Sequence, residues 1–174
     1  MTQIPILSVS TVVMPYDHPE KCVDAVIQLF PDWQVDKIPE PGTFPIERES
    51  RKLISSSCAP DTFIEVLREQ RILDTALDAM SIHLHDNSTR FHISRQAAMV
   101  KKVSFVLENE MTIGGTICVH MEGEDLDDWL QDVTWHTGRR DVPREIGDDL
   151  RMLKDGRVQE WYDRKGRPTM KVED

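Results

Sequence analysis

The sequence predicts an α+β fold, a two-layer sandwich in which a mostly antiparallel sheet is covered on one face by two main helices. Residues 61–86 place apolar side chains three and four positions apart, as an amphipathic helix does. Several shorter segments alternate apolar and polar residues with the period of two that is typical of strands. The predicted order along the chain is β-α-β-β-α-β-β-β-α.

The first third of the chain predicts one helix between strands. Residues 4–14 read as a strand, because Leu7, Val9 and Val13 share one face. A helix follows at residues 18–30, with Asp17 as a candidate cap. The next two predicted strands are a short one at 33–38 and a longer one at 46–57. The second is polar in its middle and is therefore expected at an edge of the sheet.

The helix predicted at residues 61–86 is the second main helix, and Leu73, Leu77 and Met80 should be buried against the sheet. Polar residues interrupt its apolar stripe at 68–71, where Gln70 lies on the apolar side. A buried glutamine needs hydrogen-bond partners. One interpretation is a partly exposed amide near a slight bend. The other is that this polar stretch meets a ligand or a second copy of the chain in a homodimer.

The rest of the chain divides into strands, a helix and an extension. The predicted elements are a strand at 89–93, a helical turn at 94–100, a hairpin of strands 102–108 and 113–121, an acidic helix at 124–135, a further helix at 143–153, and strands at 157–162 and 169–172. We place a domain boundary so that residues 1–137 form the α+β domain. Residues 138–174 form an extension, either a small hairpin or a partly disordered tail.

Composition excludes several classes of protein. The formal net charge is −10, but the segment from residue 44 to 105 has 9 basic and 8 acidic residues, so the acidic excess lies outside it. An acidic chain repels phosphate, so any nucleic acid should contact this central segment. No apolar run approaches the length of a membrane span, and the first residues are unlike a secretory signal. Three widely spaced cysteines predict free thiols in the cytoplasm.

No motif prescribes a reaction, a metal or a cofactor. The phosphate-binding patterns G-x-x-x-x-G-K-S/T and G-x-G-x-x-G are absent. His83 and His85 stand two positions apart on a predicted helix and cannot share a metal there. A thiol at Cys58 follows three serines, but no base is positioned for it. We therefore expect a protein that is not an enzyme and needs no cofactor or metal.

Two strings carry a resemblance to a known family. Residues 67–76 read LREQRILDTA and residues 96–105 read QAAMVKKVSF. These strings resemble an archaeal family of small uncharacterised proteins labelled RNA-binding, and the match extends from about residue 6 to residue 121. The family is similar in fold to the large-subunit ribosomal protein that binds 5S ribosomal RNA. In some archaea its members are fused to a P-loop kinase-like domain resembling dephospho-coenzyme A kinase.

The resemblance implies an RNA-binding or ribosome-associated protein, and basic residues supply the candidate contacts. We predict an RNA surface made by Arg68, Arg71, Arg95, Lys101 and Lys102, since phosphate contacts need cations but little fixed sequence. The competing interpretation is an ordinary solvated face, because acidic residues are interleaved with these cations. The alternative function is a non-catalytic partner or regulatory module of a P-loop kinase-like protein.

Overall fold

The computed structural model describes residues 3–44, 47–157, 160–162 and 168–171, with only the backbone described for the last two ranges. The elements in chain order are β1 (Ile6–Val13), α1 (Pro19–Leu29), β2 (Arg51–Cys58), α2 (Asp61–Gln70), α3 (Leu73–Ser81), β3 (Ser88–Ser94), α4 (Arg95–Ala98), β4 (Phe105–Val106), β5 (Thr116–Glu122), α5 (Leu126–Val133), a 3-10 turn (Thr137–Arg140), β6 (Glu160–Tyr162) and β7 (Pro168–Lys171).

One five-stranded sheet organises the molecule. Its order is β2-β1-β5-β3-β4, and every neighbouring pair is antiparallel. The period of two buries one face: Val9, Val119 and Phe91 stand side by side on it and are nearly or fully buried. The opposite face carries half-exposed polar side chains such as His120 and the exposed Arg90. The predicted α+β sandwich, with helices on one face of the sheet, is confirmed.

The helices cover the buried face with large side chains. Phe30, Phe63 and Phe91 stack in a row, with ring centroids 5.5 and 5.8 Å apart. Leu77 and Met80 are fully buried, as the helical stripe predicted. Burying side chains of this size is the largest favourable contribution to folding. None of the helices formed by the described residues is long and apolar enough to cross a membrane.

The second main helix is two helices rather than one. Arg71 adopts the left-handed conformation, with φ of 59° and ψ of 39°, and ends α2. Its N–H and that of Ile72 return to carbonyl groups of the last turn, as in a helix C-terminal cap. A new helix then begins at Leu73. The prediction of one helix over 61–86 was wrong, although the interruption at residues 68–71 marks the break.

Three further predictions were wrong. Residues 33–38 form no strand; the Trp33 ring is buried instead, and its indole N–H donates to the Val9 carbonyl at 2.8 Å. The strands after residue 102 are not a hairpin, because β3 lies between β4 and β5 in the sheet. Residues 143–153 form turns instead of a helix.

The edge position predicted for the strand at 46–57 is confirmed, because β2 is the outermost strand and runs from Arg51 to Cys58. Residue 46 lies outside the described residues. In the extension, β6 pairs with β7 in antiparallel orientation. Residues 158–159 and 172 of the predicted strands also lie outside the described residues.

Candidate functional site

Arg95, one of the five predicted RNA contacts, lies in the interior rather than on an exposed surface. Its side chain is 5% exposed, and its Nη2 donates to Asp17 Oδ2 at 2.6 Å. Its other nitrogens donate to the carbonyl oxygens of Val12 and Gly114, each at 2.8 Å. A Cβ at Gly115 would lie 2.7 Å from Arg95 Nη2, so the loop needs glycine there. Arg95 joins β1, the loop before α1 and the loop before β5, and its charge is compensated.

The other four predicted cations are exposed, and Gln70 brings their two segments together. The Gln70 side-chain amide donates to the Val103 carbonyl at 3.0 Å and accepts from the Val103 N–H at 2.6 Å. The amide is thus satisfied by the protein's own backbone. Because Arg71 follows Gln70 and Lys102 precedes Val103, this pair joins the two backbone segments that carry the exposed cations. We call Arg68, Arg71, Lys101 and Lys102 the basic end.

Two residues of the basic end have left-handed backbones. Arg71 ends α2 with φ of 59°, and Lys101 follows α4 with φ of 53°. Glycine is the usual residue at such a helix end, because a side chain costs about 1 kcal/mol there. Cations near helix C-termini recover part of that cost from the helix dipole. Both positions therefore hold a positive charge where the backbone would favour glycine.

A cavity of about 290 Å³ opens between Arg68 and Arg71, and Asp74 is its acidic wall. The Asp74 carboxylate contacts Arg139 Nε and His136 Nε2, each at 3.0 Å. Burial raises the pKa of Asp74, but the hydrogen bonds from Arg139 and His136 outweigh it and hold the pKa below its usual value. Asp74 is therefore already paired and does not compensate the two arginines.

A larger groove lies at the other end of α3. Among the residues that the structure describes, strand β4 pairs only with His92 and Ile93, so it leaves the rest of the β3 edge without a strand partner. The gap beside α3 forms a cavity of about 690 Å³. We call it the edge groove. Its lining includes Ile82, His83, Arg90, His92, Phe105, Leu107, Glu108, His120 and Lys154.

A second cavity, of about 490 Å³, continues the edge groove toward the C-terminal segment. The two cavities share Ile82, Glu108 and Lys154 in their linings. The far wall of the second cavity includes Ile146 and Arg157. Residues from the extension therefore form part of a continuous groove that begins at the edge of the sheet.

The C-terminal segment is fixed to α3 by a buried carboxylate. Asp78 accepts from Arg144 Nη2 at 2.6 Å and from the Met152 N–H at 3.1 Å, and Arg144 Nε donates to Asp148 at 2.8 Å. Burial lowers the pKa of Arg144, but its hydrogen bonds to Asp148 and Asp78 outweigh this and raise it above its ordinary value. These contacts join the two predicted units; folding of residues 1–137 alone stays a prediction.

Histidines surround the edge groove without forming a metal site. His83 Nε2 lies 3.5 Å from Glu108, and His120 Nε2 lies 2.9 Å from Glu122. Burial lowers the pKa of His92, and the nearby Arg90 and His83 lower it further. Within the part of the chain that the structure describes, no three His, Cys, Asp or Glu side chains are arranged to hold a metal ion. His92 is therefore favoured as a neutral imidazole.

The comparisons with known proteins establish the family. No protein-family model matches the chain. The UPF0201 protein of Methanothermobacter thermautotrophicus is 32% identical over 146 residues, which are 82% of this chain and 98% of that protein. The chain belongs to the UPF0201 family. The predicted membership of an archaeal family is thereby confirmed.

Two further UPF0201 matches bear on fold and on chain organisation. A crystal structure of a UPF0201 protein from Methanococcus jannaschii superposes with a TM-score of 0.63 at 23% identity, covering 75% of this chain and 99% of that one, which supports the fold alone. A UPF0200/UPF0201 protein of Archaeoglobus fulgidus is 27% identical over 59% of this chain, which corresponds to 29% of that protein. A UPF0201-like region thus occurs there within a longer polypeptide.

Proposed function

We propose that this UPF0201 protein binds RNA through the basic end, chiefly by contacts to phosphate. The observation that supports this function is the Gln70–Val103 pair, since Arg71 and Lys102, which adjoin these two residues in the sequence, are both exposed. Cations clustered on one side of a protein are the electrostatic footprint of nucleic-acid binding. The central segment that carries them lacks the acidic excess of the rest of the chain.

The geometry of the basic end suits phosphate. A guanidinium offers paired N–H donors that match two phosphate oxygens, and Arg68 and Arg71 flank a cavity open to such a group. Arg68 Nη2 makes one hydrogen bond, a long one of 3.3 Å to the Val133 carbonyl, and keeps its other donors. Arg95 is left out of this surface, because its donors are used inside the protein.

Salt dependence follows from the number of phosphate contacts. Three or four neutralised phosphates give a slope of log affinity against log salt of roughly −2 to −4. The net charge of −10 repels the same ligand, so the affinity should be modest. Binding should therefore be measurable at low salt and weak at moderate salt.

The test is a binding titration with labelled single-stranded and hairpin RNA at low and moderate salt. The double variant Arg71→Glu/Lys101→Glu should weaken binding by more than the loss of one contact. The matched control is Lys21→Glu/Lys37→Glu, which changes the net charge equally at exposed positions that are not part of the basic end. No binding at low salt, or equal weakening by the control, would contradict this site.

The second candidate function is a non-catalytic partner of a P-loop kinase-like protein. It is favoured by the Archaeoglobus fulgidus protein, whose name joins UPF0200 with UPF0201 and of which this chain matches 29%. Regions fused in one chain can act as separate, associating chains elsewhere. Mixing the purified UPF0201 chain with the remainder of that fused protein should give a complex in size-exclusion chromatography, and elution as two separate peaks argues against the partnership.

A further inference from the structure

The edge groove carries a chemistry separate from that of the basic end. It contains two cationic side chains without a partner: neither the Arg90 nor the Lys154 side chain makes a hydrogen bond or ion pair with any residue that the structure describes. The arginines nearby differ in this respect. Arg144 pairs with Asp78, and Arg157 pairs with Asp155. Two uncompensated positive charges facing one cavity favour an anion there.

The charge of the two cations indicates the kind of anion. A phosphate monoester carries about −1.5 to −2 at neutral pH and has three strong acceptor oxygens. Arg90 reaches the cavity from the β3 strand, whereas Lys154 reaches it from the C-terminal segment. Both line one cavity, and they do so from two different elements. His92 lines the same cavity and can donate a further hydrogen bond from its ring.

The remaining lining suits a nucleoside. Ile82, Phe105 and Leu107 supply apolar surface. The Phe105 ring packs edge-to-face on Phe91, with ring centroids 5.7 Å apart, and stays partly exposed. An aromatic ring beside a groove is a common stacking surface for a base. Glu108 lies at the junction of the two cavities, and a carboxylate is the group that accepts hydrogen bonds from ribose hydroxyls in many nucleotide sites. A volume of about 690 Å³ is within the range of small-ligand pockets.

We infer that the edge groove binds a nucleoside monophosphate unit, with Arg90 and Lys154 on the phosphate, Glu108 on the ribose and Phe105 beside the base. This chemistry has two sources, a free mononucleotide or the phosphorylated end of an RNA strand. The inference does not depend on RNA binding at the basic end, which lies at the opposite end of α3.

Calorimetric titrations of the full chain at low salt test the site. The probes are adenosine 5′-monophosphate, adenosine, inorganic phosphate, and a short RNA with and without a 5′-phosphate. Adenosine 5′-monophosphate should bind more tightly than adenosine or phosphate alone. Arg90→Gln and Lys154→Gln should each weaken the binding of adenosine 5′-monophosphate about tenfold, as expected for a lost charge-assisted hydrogen bond. Glu108→Gln should weaken the binding of adenosine 5′-monophosphate while leaving the affinity for phosphate unchanged.

The control variant is Lys101→Gln/Lys102→Gln, which alters the basic end and should leave the mononucleotide affinity unchanged. Competition by the 5′-phosphorylated RNA, sensitive to Arg90→Gln, identifies the strand end as the source; binding of the mononucleotide without such competition identifies the free nucleotide. No binding of adenosine 5′-monophosphate, or binding that both single variants leave intact while their thermal unfolding is unchanged, overturns the inference. Loss of RNA binding through the basic end alone would not affect it.

Discussion

Replacing Arg144 with methionine should destabilise the whole protein, although residue 144 lies in the extension. Methionine keeps most of the length and apolar bulk of the side chain but leaves Asp78 without its cation. The two side chains are 8% and 7% exposed, so the carboxylate would stay buried with only the Met152 N–H as its partner. Breaking a buried ion pair from one side costs roughly 3–5 kcal/mol, because the remaining charge is uncompensated.

A loss of that size is easy to measure. For a chain of this length, 1 kcal/mol corresponds to roughly 2–4 °C, so the midpoint should fall by about 6–20 °C. Urea unfolding followed by tryptophan fluorescence gives the free energy directly. The control is Arg157→Met, which breaks an exposed pair with Asp155 and should leave the midpoint unchanged.

The double variant Asp78→Asn/Arg144→Met separates the ion pair from simple packing. It removes both charges, so it should be less destabilised than the sum of the two single variants. Additive losses, or an Arg144→Met variant with a normal midpoint, would refute the claim that this pair holds the C-terminal segment on α3. If the segment detaches, Lys154 leaves the edge groove, so mononucleotide binding should fall in the same variant.

Four other outcomes are expected. Leu77→Ala should cost roughly 2–5 kcal/mol in urea unfolding, since the side chain is fully buried; an unchanged midpoint would mean the core is misassigned. Gln70→Ala should speed hydrogen exchange of the Val103 amide, because it removes the acceptor of that N–H. It should also weaken RNA binding, because the two segments of the basic end are then no longer held together by this side chain. Unchanged exchange contradicts this. The lowered pKa of Asp74 adds stability at neutral pH that is lost as the pH falls below about 4, and Asp74→Asn should reduce this loss. Truncation after Thr137 should leave cooperative unfolding at a lower urea concentration.

Local periodicity was sufficient to predict the positions of the elements that bury one face. The alternation in β1 and the stripe in α1 depend on neighbours two to four positions away, and both elements begin and end within one or two residues of the predicted ends. Strand pairing is different, because it is set by contacts across the chain. The prediction of a hairpin after residue 102 was wrong, because β5 lies between β1 and β3 in the sheet and pairs with both of these earlier strands. Nothing in the loop between β4 and β5 indicates this.

The extension was misread for a related reason. Residues 143–153 contain helix-compatible residues, but Arg144 turns inward to Asp78, 66 positions earlier, and Asp148 accepts from both the Arg144 side chain and the Glu145 N–H. The tertiary bond to Asp78, together with the local bonds to Asp148, stabilises turns over a helix. The same contacts place Lys154 at the edge groove, a position that no local pattern predicted. The outward positions of β3, with Arg90 and His92 alternating with core residues, were the sequence signal for that groove.

The charges show why a count of basic residues was a poor guide to the site. Arg95 and Arg144 are each enclosed by acceptors from distant segments, and their charges stabilise the fold. A buried arginine of this kind cannot leave its partners for a ligand without the desolvation cost of an unpaired charge. Arg71, Arg90 and Lys154 look no different in the sequence, yet they are without such partners among the described residues. In a chain with 31 acidic and 21 basic residues, the cations available to an anion are those that the fold leaves unpaired. The two proposed sites rest on these cations, one at each end of α3.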